Sequence, residues 1–77
     1  MTVKISKYTN DGKFIDTVEL RRQSSIEEYL QAEIEDKYFR NYIKLGILEN
    51  LTRSNKAKFV NGTKDKRTSY YIVERVS

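Results

Sequence analysis

The chain has 77 residues, 34% of them charged and 38% apolar, with 15 Lys and Arg against 11 Asp and Glu and a formal net charge of +4. A chain this short buries only about 60% of its unfolded surface, so it supports one core and reads as a single domain over 1–77. It has no cysteine and no histidine, which excludes disulfides, zinc or heme ligation by these side chains, thiol nucleophiles and Ser-His triads within the chain.

Val3 and Ile5, and then Phe14, Val18 and Leu20, alternate on either side of Asn10-Asp11-Gly12. Alternation around Asp-Gly predicts a β-hairpin with strands over 2–8 and 13–20. Asp16 falls on the Phe14/Val18/Leu20 face and Ile15 opposite, an irregularity that a β-bulge or an edge position accommodates. Ser24-Ser25-Ile26-Glu27-Glu28 holds two overlapping capping boxes and predicts a helix start. Ile26, Tyr29, Leu30, Ile34, Tyr38, Tyr42 and Ile43 continue at helical spacing. The acidic cluster Glu33, Glu35 and Asp36 suits either the wet face of one bent helix or the first turn of a second helix starting near 36. Lys44-Leu45-Gly46-Ile47 ends the helical stretch, with glycine at the left-handed C′ position and a cation in the last turn.

Residues 47–51 fit a strand or one more helical turn equally well. Strands are expected over 57–60 and 69–76, the second rich in aromatic and β-branched residues. Between them lies a polar loop over 61–68, or a hairpin closed at Asn61-Gly62. The whole reads as an α+β fold of order ββα(α)ββ: an N-terminal β-hairpin, one long or two short helices and a C-terminal β-hairpin. A small antiparallel sheet of three or four strands is covered on one face by helix. The expected core is Val3, Ile5, Phe14, Val18, Leu20, Ile26, Leu30, Ile34, Tyr38, Ile43, Leu48, Phe59, Ile72 and Val76.

Charge is distributed unevenly. Residues 1–39 carry six basic and eight acidic side chains, a net of −2, whereas residues 40–77 carry nine and three, a net of +6. Arg53, Lys56, Lys58, Lys64, Lys66 and Arg67 face only Asp65, so 53–67 alone is +5. A field of that sign attracts polyanions. Lys58-Phe59, and Arg67 near Tyr70-Tyr71, pair cations with rings, the combination that holds single-stranded nucleic acid. Adjacent strand residues point to opposite faces, so only one of Tyr70 and Tyr71 can belong to a stacking platform. Phe59 and the other tyrosine are expected in the core.

The succession of a helix ending Tyr42-Ile43-Lys44-Leu45-Gly46-Ile47-Leu48, a basic segment and an aromatic strand loosely resembles the second half of small winged-helix proteins, excisionases of phages and transposons among them. The resemblance covers about residues 25–76, and an N-terminal hairpin stands where that family carries its first helix. It implies a helix in the major groove bearing Lys37, Arg40, Asn41 and Lys44, and a wing bearing Lys56, Lys58, Lys64, Lys66 and Arg67 against phosphate or minor groove.

The expected function is therefore non-catalytic nucleic-acid binding, DNA ahead of RNA, through Arg53, Lys56, Lys58, Lys64, Lys66 and Arg67 with Arg40 and Lys44. Lys, Asn, Ile, Tyr, Phe and Met make up 31 of the 77 residues, the bias of an AT-rich coding sequence such as those of many phages and mobile elements. No enzyme activity, metal or cofactor is expected: the acid–base candidates show no diagnostic spacing, and Glu33 with Asp36 offers at most weak magnesium binding. A homodimer would let so small a binder span two half-sites. The alternative is a phage-type protein-interaction module that binds or inhibits a host protein through Glu27, Glu28, Glu33, Glu35 and Asp36, imitating phosphates. No run approaches the roughly 20 apolar residues that cross a bilayer, and Met-Thr-Val-Lys lacks the apolar stretch of a signal peptide, so a cytoplasmic location is expected.

Overall fold

The computed structural model describes residues 2–46, 55–60 and 62–76. Strands β1 (Val3–Tyr8) and β2 (Phe14–Leu20) come first, then helices α1 (Gln23–Glu33) and α2 (Asp36–Lys44), then strands β3 (Lys56–Phe59) and β4 (Tyr70–Arg75). The strands form a four-stranded antiparallel sheet in the order β2-β1-β4-β3. The fold is α+β, with the helical region divided into two helices.

The central pair comes from opposite ends of the sequence: β1 pairs with β4 from Val3↔Arg75 to Tyr8↔Tyr70. Period-two alternation puts one face of each strand under the helices. That face supplies the fully buried Val3 and Ile5 of β1 and Tyr71 and Val73 of β4. Ile26 and Leu30, one turn apart on α1, close the core with Ile34 and with Phe59 of β3. Burying each such side chain contributes about 1.5–3 kcal/mol.

The β1–β2 turn forms at Asp-Gly as expected. Gly12 takes φ +82, a left-handed conformation that costs glycine nothing. Its N–H donates to the Thr9 carbonyl at 3.0 Å, and the Thr9 hydroxyl donates to the Asp11 carboxylate. The irregularity in β2 is a bulge: Lys7 pairs with Asp16 and Tyr8 with Phe14, leaving Ile15 unmatched. The slip moves Phe14 off the Val18/Leu20 face and onto the face of Tyr8. Phe14, expected in the core, is consequently 59% exposed.

Ile34 interrupts the helical stretch with an extended backbone (φ −114, ψ 139) while its side chain is fully buried. It bridges to Thr63, flanked by hydrogen bonds from Glu35 N–H to the Gly62 carbonyl (2.6 Å) and from Lys64 N–H to the Glu33 carbonyl (2.9 Å). The break is thus held by the loop entering β4. Gly62 is required there, because its φ is +82 and an added Cβ would fall 2.5 Å from the Tyr38 ring. The expected serine caps do not form: α1 starts at Gln23, Arg22 is its N-cap, and there is no side-chain cap bond. Only two residues link β2 to α1, and Ile26 must reach the core, so the helix begins before Ser24. At the end of α2, Gly46 takes φ +68 and donates to the Ile43 carbonyl at 3.0 Å, as a left-handed stop does.

Three more residues expected in the core are not buried. Ile43 (43% exposed) lies off the inward side of α2, which Tyr38, Phe39 and Tyr42 form, and Val76 (48%) lies beyond the end of β4. Ile72 is half-buried on the sheet face opposite Val73. Val18, Leu20 and Tyr38 pack at the core margin, and Leu48, with the segment 47–51, falls outside the described residues. β3 runs one residue earlier than expected, and residues 62–69 lead into β4 as a loop. Among the described residues no helix is long and apolar enough to cross a membrane.

Candidate nucleic-acid interface

The alternation that buries Val3, Ile5, Tyr71 and Val73 sends Lys4, Ser6, Tyr8, Tyr70, Ile72 and Glu74 to the other face of the sheet, which no described helix or strand covers. Strand register arranges this open face in three rows. At one end Glu19, Lys4, Glu74 and Lys56 alternate in sign from β2 to β3, the opposite-charge pairing that favours neighbouring strands. In the middle are Thr17, Ser6, Ile72 and Lys58, with the Ser6 and Thr17 hydroxyls 3.2 Å apart. At the other end, where both the β1–β2 turn and the β3–β4 loop leave the sheet, stand Phe14, Tyr8 and Tyr70.

The aromatic row is ordered by its own contacts. Tyr8 and Tyr70 stack with centroids 5.1 Å apart and planes 11° from parallel, and Phe14 meets Tyr8 edge-on at 6.0 Å and 70°. From the β3 side, the Lys58 ammonium lies 4.5 Å from the Tyr70 centroid. The column runs across all four strands, so the facing sides of Tyr8 and Tyr70 cover each other. Its ends are Phe14 and the Lys58 side of Tyr70.

Lys56 and Lys58 are both exposed on this face. Lys64, Lys66 and Arg67 are exposed on the loop that leaves at the aromatic end. That loop is shaped around Asp65, whose carboxylate accepts from Arg67 N–H at 3.0 Å and from the Thr68 hydroxyl at 3.3 Å, while the Thr63 hydroxyl donates to the Thr68 carbonyl at 2.7 Å. The Arg67 amide, then the Arg67 guanidinium and the Thr68 hydroxyl, hold the Asp65 carboxyl below its ordinary value of 3.8. Lys64 leans the other way, its Nζ donating to the Gln31 carbonyl of α1 at 3.4 Å.

Arg40 and Lys44 do not join this group. Both are exposed on α2, whose Tyr42 ring packs at 4.6 Å and 89° on Phe59, a residue of the helix-covered face. They therefore sit on the far layer from Lys56 and Lys58, and Arg40 pairs with Asp36 at 3.0 Å. Arg53 falls outside the described residues.

Glu33 and Asp36 have different basic partners, Lys7 and Arg40. Glu33 is held between Lys7 (3.0 Å) and the Tyr71 hydroxyl (2.9 Å) on the helix side. Burial opposes charge on Lys7, but Glu33 and Tyr29 outweigh it and leave the pKa of Lys7 raised. Burial, then the Glu33 hydrogen bond, pushes the Tyr71 phenol well above its usual range. No group of three or more candidate metal ligands occurs among the described residues.

Charge density points to the lysines and arginines but not to Tyr8 and Phe14. Tyr8 is legible from alternation, because a face opposite Val3 and Ile5 must carry Ser6 and Tyr8. Phe14 is not, since its placement depends on the bulge. No protein-family model, no curated protein and no solved structure matches this chain.

Proposed function

We propose that this protein binds nucleic acid without catalysing a reaction, as a small regulatory or accessory factor, with β3 and the loop between β3 and β4 meeting the phosphates. One observation carries the reading. Lys56 and Lys58 project side by side from an edge strand, Lys64, Lys66 and Arg67 stand on the next loop, and the α1 carboxylate adjoining that loop, Glu33, is already held by Lys7 and Tyr71. The loop's own Asp65 lies 3.7 Å from Arg67 and offsets one of its charges. Exposed cations of this density attract polyanions and speed their encounter. DNA ahead of RNA is the partner proposed, the cytoplasm the place, and the composition fits a phage or mobile-element factor.

The test is the salt dependence of binding. About five neutralised phosphates on duplex DNA give a log–log slope near −4 to −5. Replacing Lys66 and Arg67 with Ala makes the slope shallower by about 2 while leaving the melting temperature nearly unchanged. A slope of zero, or no retention at low salt, discards the reading.

A further inference from the structure

We infer that the nucleic acid this surface takes is single-stranded, with one base stacked on the outer face of Tyr70 and another on Phe14, an inference that rests on the nucleic-acid reading above. Tyr8 is covered on one side by Tyr70 and approached on the other by Phe14, so it supports the row. The two ends of the column remain accessible. Phe14 is 59% exposed, and the Lys58 side chain that lies over the outer face of Tyr70 is itself exposed.

Magnitudes decide what happens there. A solvent-exposed ammonium over a ring is worth about 2- to 5-fold in an equilibrium, whereas a base stacked on an aromatic ring is worth about 5- to 150-fold. A base therefore displaces Lys58 from Tyr70. The released ammonium stays on the same strand beside the base, placed to meet that nucleotide's phosphate. The steps of 5.1 Å and 6.0 Å along the column keep both stacking positions within reach of one short strand. Lys66 and Arg67 are exposed on the loop that leaves the sheet at the same end. Duplex DNA cannot use the row, because its base faces are already covered by neighbouring pairs.

The test titrates the full chain into labelled oligothymidylate and oligouridylate of about a dozen nucleotides, an abasic strand of equal length and a duplex of the same length, at one salt concentration. The inference requires both base-bearing strands to bind at least tenfold tighter than the abasic strand and the duplex. Tyr70→Leu and Phe14→Leu must each remove at least fivefold of that preference, and Tyr70→Phe must retain it. A preference for the ribose or the deoxyribose strand supports the inference and names the source. Equal affinity for all four, with a steep salt slope, overturns stacking while the phosphate reading stands, and no binding to any of them overturns both. Should Tyr70→Leu fail to fold, the exposed Phe14 variant carries the test, and an unchanged preference in it sinks the idea.

Discussion

Tyr70 and Tyr71 are neighbours on β4, yet Tyr71 is sealed beneath the helices with its hydroxyl on Glu33, and Tyr70 stands on the open face between Tyr8 and Lys58. The two faces obey different rules. On the covered face each side chain is chosen by the space between sheet and helices, and its polar atoms need internal partners. On the open face, side chains are ordered by cross-strand neighbours, in rows of charge, small groups and rings. Residue type alone does not tell which rule governs a tyrosine; strand pairing does.

Truncating the two tyrosines in turn separates the faces by the widest margin. Tyr71→Ala removes a fully buried ring and costs about 3–5 kcal/mol, a large share of the roughly 5–15 kcal/mol that holds a small domain folded. Tyr70→Ala loses one stacked pair and a cation contact, about 1–2 kcal/mol. Urea unfolding of both variants checks the difference, and equal losses would mean that the open row is part of the core.

A smaller effect isolates the hydroxyl of Tyr71. Tyr71→Phe keeps the ring but leaves Glu33 one donor short, at about 1–3 kcal/mol. The folded-state pKa of Tyr71 is raised above its ordinary 10.0, by burial first and by Glu33 second, so the folded state favours the protonated phenol. Its contribution to stability is complete below pH 10 and is lost as pH climbs toward the higher folded value. Alkaline melting curves should decline less steeply in Tyr71→Phe than in the native chain. Parallel declines would deny that this phenol matters to the interior.

Local features of the fold are legible in the sequence. Asp11-Gly12 and Gly46 announce left-handed positions that depend only on neighbouring residues, and both glycines adopt them. Ile26 and Leu30 share a helix face whatever that face packs against. The features that are not legible depend on pairing between distant segments. The loop at Thr63 breaks the helix at Ile34, and the central position of β4 draws Tyr71 and Val73 into the core while leaving Ile72 outside. The candidate site divides in the same way. Lys56, Lys58 and the loop cations stand out by charge density, but the ring column exists only once β2, β1, β4 and β3 lie side by side.

The smallest effect concerns the basic loop between β3 and β4. Asp65 is held below 3.8 by the Arg67 amide before any other group, so the folded state favours its carboxylate. Its contribution is present above pH 3.8 and is lost as pH falls through the lower folded value. The Arg67 amide resonance should therefore titrate with a midpoint below 3.8 while Val73, deep under the helices, does not respond. In Asp65→Asn that titration disappears and the melting temperature moves little, because the amide oxygen can still accept from the Arg67 N–H and the Thr68 hydroxyl. If Val73 shifts together with Arg67, acid is opening the covered face too, and the titration of Asp65 is not confined to the loop.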